Sequence, residues 1–206
     1  FNMAIELSLT QFLTYSSKVS TSAKINYIRQ VKNSEYDPSV DYWKKLRDEI
    51  KKTHEKNLPI EDLLELPKRV SEKKAKNYQR AVTKYVSFIR KNNASYFPVG
   101  KSFWSYSDDL FVRTSPEIGL TIDGKNFLVK NYYKKKDTNT KVTKRNIGST
   151  LTMMQLSEKD FAVDSSEFSV LNLQNGGLIT AKPLMSESVL ELELEAQNFV
   201  NIWNKV

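Results

Sequence analysis

Up to about residue 93 the apolar residues recur every three or four positions, and beyond it they fall in short runs rich in aromatic and β-branched side chains. The first spacing gathers side chains on one face of a helix and the second on one face of a strand. Ser8-Leu9-Thr10-Gln11 has the form of a capping box, which predicts a short helix with Leu9, Phe12 and Leu13 inward. A second helix is expected from about Thr21, carried by Ile25, Ile28 and Val31 and ended at Asn33-Ser34. Asp37-Pro38 reads as the start of a third, with Val40, Trp43, Leu46 and Ile50 as its stripe and Asn57 before Leu58-Pro59 as its end. A single helical turn, Ile60 to Leu66, is expected to stop at Pro67. From Ser71 to about Lys91, Ala75, Tyr78, Val82, Tyr85, Val86 and Ile89 form one apolar face, and lysines and arginines cover the rest.

Strands are expected over 102–106, 110–114, 118–122 and 126–133. Asp123-Gly124 joins the last two, because a type I′ turn needs two residues with positive φ and Asp-Gly tolerates it. A helix over about 146–156 follows, then a second hairpin from 169–173 and 178–181 around Gln174-Asn175-Gly176-Gly177. Ser186 to about Asn204 places Val189, Leu192, Ala196, Phe199 and Trp203 on one helical face, although Leu190 to Glu195 alternates as a strand would. The fold class expected is therefore α+β, a helical N-terminal half followed by a small, mostly antiparallel sheet with two flanking helices. The corresponding regions are 3–95 and 96–206, which can form one continuous domain.

Charge adds an asymmetry to this picture. The chain of 206 residues has net charge +8. Residues 66–101 are densely basic with Glu72 as their sole acid, 125–145 are basic with Asp137 alone, and 159–206 are mainly acidic. Such a polar distribution predicts an anionic partner. With no cysteine there is no disulfide framework, and no apolar run reaches the roughly 18 residues of a membrane span, so the cytoplasm is the expected location and no membrane is expected as a partner.

The enzymology is narrowed by what is missing. His54 is the single histidine, and there is no Gly-x-Ser-x-Gly, Gly-x-x-x-x-Gly-Lys or Gly-x-Gly-x-x-Gly sequence, which leaves hydrolase triads, nucleotide loops and zinc sites without their parts. No metal or other cofactor is expected. Lysines release condensed counterions when they neutralise phosphates, so DNA or RNA is the partner expected, with Lys73, Lys74, Lys76, Arg80 and Lys84 of the basic helix and Lys134, Lys135, Lys136, Lys144 and Arg145 after the hairpin as the contacts. The basic half also keeps open an acidic protein partner, or self-association through the acidic C-terminal segment of a second copy.

Pro116-Glu117-Ile118-Gly119-Leu120 followed by Phe127-Leu128-Val129-Lys130-Asn131-Tyr132-Tyr133 resembles a family of uncharacterised bacterial proteins that pair a Pro-Glu-x-Gly-Leu strand with an aromatic-lysine strand. The order of helix, three meandering strands, helix and strand over about 71–182 also resembles the core of restriction-endonuclease-like nucleases. That resemblance implies Mg²⁺ held by two carboxylates beside a lysine, for which Glu117, Asp123, Lys125 and Lys130 are the candidates. Leu128 stands where that pattern has its second carboxylate, and Asp123-Gly124-Lys125 falls on a turn. Whether the protein is an enzyme stays open at this point.

Overall fold

The computed structural model describes residues 4–34, 41–134 and 139–206. The proposed helix start at Asp37-Pro38, with Val40, lies outside the described residues, as do Lys135 and Lys136.

The chain begins with a strand, β1 (Ile5–Ser8), that runs directly into α1 (Leu9–Ser16). Ser8 caps that helix as its sequence implies: Ser8 Oγ accepts from the Gln11 N–H at 3.2 Å and the Gln11 side chain accepts from the Ser8 N–H at 2.8 Å. Next come α2 (Thr21–Lys32), α3 (Lys44–Glu55), a 3-10 segment (Ile60–Arg69) that continues through Pro67, and α4 (Glu72–Lys91). The second half comprises β2 (Ser95–Phe97), β3 (Ser102–Tyr106), β4 (Leu110–Arg113), β5 (Ile118–Ile122), β6 (Lys125–Tyr132), α5 (Gly148–Leu156), β7 (Glu158–Lys159), β8 (Glu167–Asn172), β9 (Gly177–Thr180) and α6 (Ser186–Trp203). Among the described residues no helix is long and apolar enough to cross a membrane.

The α+β class holds, but one small antiparallel sheet does not form. There are two mixed sheets, ordered β1-β4-β3-β7 and β2-β5-β6-β8-β9. The four strands predicted over 102–133 divide between them, because β3 pairs with β4 and β4 in turn with β1, which runs parallel to it. In the larger sheet β5 and β6 form the hairpin predicted at Asp123-Gly124, both turn residues having positive φ (49° and 75°). β6 then pairs in parallel with β8 after a crossover through α5. Gly119 in β5 is required by close approach: the ring of Phe97 occupies the space where a Cβ would stand.

Period-two alternation divides the larger sheet between two cores. Val129 and Tyr133 of the β6 segment, with Leu171 and Leu173, meet Leu46 and Ile50 of α3 and Tyr78, Val82, Tyr85 and Val86 of α4. Leu128, Tyr132, Phe168 and Val170 meet instead a layer of α1, α5 and α6, including Phe12, Leu151, Met153 and Phe199, backed by Leu110 and Val112 of the small sheet. Both cores draw on residues from either side of residue 95. Leu190 to Glu195 is helical, not extended, because only the helical spacing buries Leu192, Ala196 and Phe199 together.

Candidate nucleic-acid interface

Two kinds of charged cluster emerge from this fold, and they differ in how their charges are satisfied. The first sits at one end of the β5–β6 hairpin. Register places Glu117, just before β5, opposite Lys130 of β6, and the two form an ion pair with Lys130 only 7% exposed. The same carboxylate accepts a hydrogen bond from the Tyr133 hydroxyl, which in turn accepts from Asn131 Nδ2 at 3.2 Å. Burial, and then the Glu117 charge, push the Tyr133 hydroxyl well above the ordinary tyrosine range, so it stays a proton donor. Nearby, Arg47 pairs with Asp41 at 2.6 Å. His54, stacked on Tyr96, shares a 2.7 Å hydrogen bond with the Tyr85 hydroxyl, and burial lowers its pKa.

Of the four candidate catalytic residues, Glu117 and Lys130 are brought together and Asp123 and Lys125 are not. Asp123 lies in the turn at the opposite end of the hairpin, roughly 20 Å from Glu117 at about 3.3 Å per strand residue, and Lys125 follows that turn as the first residue of β6. Leu128, at the position of the second carboxylate, is fully buried in the core. A hard cation such as Mg²⁺ needs several oxygen ligands around it. The Glu117 carboxylate is already engaged by Lys130 and Tyr133, and among the described residues no group of three acidic or histidine side chains could hold a metal. The two-carboxylate site proposed from Glu117 and Asp123 therefore does not assemble.

The basic residues divide as well. α4 turns Tyr78, Ala81, Val82, Tyr85, Val86 and Ile89 inward, which leaves Lys73, Lys76, Lys84 and Lys91 exposed. Lys74 instead lies over the Tyr42 ring at 5.1 Å. Arg80 is half-buried, its Nε enclosed without a hydrogen-bond partner and its Nη2 3.4 Å from Asn77 Oδ1, so it is no open phosphate contact. The neighbouring helix α3 is also basic but pairs three of its lysines internally, through Lys44–Asp48, Lys51–Glu55 and Lys52–Glu49.

Lys134, Lys144 and Arg145 belong to the other side of the larger sheet. Lys134 lies 5.3 Å from the Tyr27 ring centroid. The loop leading into α5 is pinned by the buried side chains Val142 and Ile147 and by the Lys141 N–H, which donates to the Ser17 carbonyl at 2.9 Å. Those anchors turn Lys141, Lys144 and Arg145 outward, onto a groove of about 1130 Å³ between this loop, α1, β9 and α6. Lys182 and Lys18 join them. Lys141, Lys144, Arg145 and Lys182 make no ion pair among the described residues. Ile147, the residue at the cap position of α5, makes no side-chain hydrogen bond, and Gly148 and Ser149 of the first turn of that helix border the same groove.

The predicted set thus does not make a single patch: Lys73 and Lys76 ride the outer side of α4, and Lys144 and Arg145 line a groove on the opposite face of the sheet. Sequence reading missed Lys18, Lys24 and Lys182 as groove residues, and no local signal could have found them, because three separate elements deliver them. It missed Tyr133 and Asn131 as partners of Glu117 for the same reason. No protein-family model matches the chain, and no curated protein matches it either.

Proposed function

We propose that the protein binds nucleic acid, gripping phosphates in the groove at the start of α5. The observation that carries this reading is the convergence of Lys141, Lys144, Arg145 and Lys182, none ion-paired among the described residues, beside the first turn of α5. A cation already balanced by a carboxylate, as on α3, gains little by meeting a phosphate, whereas an unbalanced one releases the phosphate's condensed counterions to solution. Backbone N–H groups at a helix start add fixed donors of the right polarity for a phosphate oxygen. The lysines along α4 form a second, separate cationic face.

Fluorescence anisotropy against labelled DNA and RNA oligonucleotides across a salt series tests this. Four phosphate contacts predict a slope of log K against log salt of about −3 for a single strand, from roughly 0.7 per contact. No binding at low salt would overturn the reading.

A metal-dependent nuclease related to the restriction-endonuclease-like enzymes is the second reading, and one observation favours it: Glu117 and Lys130 stand face to face on adjacent strands between α4 and α5. Incubating the same oligonucleotides with Mg²⁺ and finding them intact would retire it.

A further inference from the structure

We infer that the groove accepts a single nucleic-acid strand and discriminates against a duplex, an inference that rests on the nucleic-acid reading above and adds the class of ligand to it. The charges of the groove are segregated by element. The loop before α5 supplies Lys141, Lys144 and Arg145, and Lys18, Lys24 and Lys182 come from other elements, whereas the carboxylates Glu191 and Glu195 both lie on α6 with Leu194; Glu195 pairs with Lys24, and Glu191 has no ion-pair partner among the described residues. Met185, just before α6, borders the groove as well, and both it and Leu194 are 55% exposed.

A duplex carries a phosphate backbone on each side of its axis, so seating one backbone on the loop cations turns the other toward further cations or toward solvent. Here the second backbone meets a carboxylate and exposed apolar side chains. Like charges brought together this way oppose binding, and more strongly at low salt. A single strand has the opposite polarity of edges, with phosphates along one side and unpaired bases along the other. Its bases suit α6: Met185 and Leu194 cover their faces, and Glu191 can accept a hydrogen bond from an exocyclic amino group, as carboxylates do from cytosine N4.

Two buried serines border the groove as well. Ser16, at the end of α1, is 94% buried by its 6% exposure and borders the groove, yet its hydroxyl has no hydrogen-bond partner. Buried hydroxyls are ordinarily satisfied, and this one is enclosed at the edge of the groove with no protein partner. Ser149, 8% exposed in the first turn of α5, lines the same groove.

The test compares a labelled single strand with the duplex of the same length and sequence, in DNA and in RNA, at one low salt concentration. Wild type is expected to bind the single strand roughly ten-fold or more tighter than the duplex, the order set by a like-charge contact. Glu191→Lys, a change at an exposed position, is expected to raise duplex affinity and close most of that gap, and Leu194→Ala to weaken the single strand while leaving the duplex unchanged. A wild type that holds duplex as tightly as single strand, through a groove that Lys144→Glu and Arg145→Glu still disable, would overturn this inference and leave the nucleic-acid reading standing. Failure of every oligonucleotide to bind would overturn both. Salt-sensitive self-association without nucleic acid, abolished by the same charge reversals, would show that a second copy occupies the groove and would likewise overturn them.

Discussion

The hairpin end around Glu117 and the groove at the start of α5 contain the same kinds of residue, lysines, an arginine and glutamates, yet the fold treats them in opposite ways. At the hairpin each charge is matched: Glu117 holds Lys130 and Tyr133, and Asp41 holds Arg47. In the groove Lys141, Lys144, Arg145 and Lys182 stand open, with no ion pair among the described residues. A buried pair contributes to the fold mainly because losing one partner strands the other in low dielectric. Open cations contribute almost nothing to folding and stay available to a ligand. Unmatched charge, not charge density, is what separates a recognition surface from structure here, and α3, also basic but with three of its lysines paired internally, shows the same contrast within one layer.

The comparison can be broken most severely at Glu117. Glu117→Ala strands Lys130, and an unfolding free energy lower by about 3–5 kcal/mol is expected from urea denaturation, as for other buried pairs cut on one side. A change below about 1 kcal/mol would mean that the pair is effectively solvated. Reversing Lys141, Lys144 and Arg145 together is expected to cost nucleic-acid affinity roughly a hundred-fold or more at low salt while moving stability by only about 0.5 kcal/mol. Tyr85→Phe leaves the His54 ring nitrogen without its partner in a half-buried setting, and thermal melts should place it about 1–2 kcal/mol below wild type.

The smallest effect expected is one of pH. Burial holds the His54 pKa below its ordinary value of 6.5, so below that pH the unfolded chain binds a proton that the folded one resists. Stability is therefore full above about pH 7 and declines as pH falls from 6.5 toward the lowered folded pKa. Denaturation midpoints between pH 7 and 5 should fall less steeply in His54→Gln than in wild type, and identical slopes would exclude His54 as the titrating group.

The parts of this architecture that were legible in the sequence are those fixed by neighbours along the chain. The Ser8–Gln11 capping box, the stripe of α4, the limits of β3 and β5 and the Asp123-Gly124 turn all rest on contacts within a few residues. What stayed hidden depends on distant partners. β1 is only Ile5–Ser8 and is a strand because Leu110–Arg113 lies beside it in parallel, and the separation of β3 and β4 from β5 and β6 follows from that pairing. The parallel match of β6 to β8 needs the α5 crossover. Glu117 and Lys130 could be found because hairpin register sets them opposite each other, whereas the groove could not, since Lys18, Arg145 and Lys182 converge only when three elements pack.

The basic helix was the most conspicuous binding candidate in the sequence, and the groove is the one the fold favours, so the two should be compared in one assay. Anisotropy titrations of a labelled single strand at low salt would be made with wild type, with Lys141, Lys144 and Arg145 reversed to glutamate, and with Lys73, Lys76 and Lys84 reversed to glutamate, after confirming that all three proteins melt alike. The account predicts that the groove variant loses binding and that its salt slope flattens by about 2, from roughly 0.7 per lost contact, while the α4 variant keeps the wild-type slope. Binding lost from the α4 variant and retained in the groove variant would contradict it.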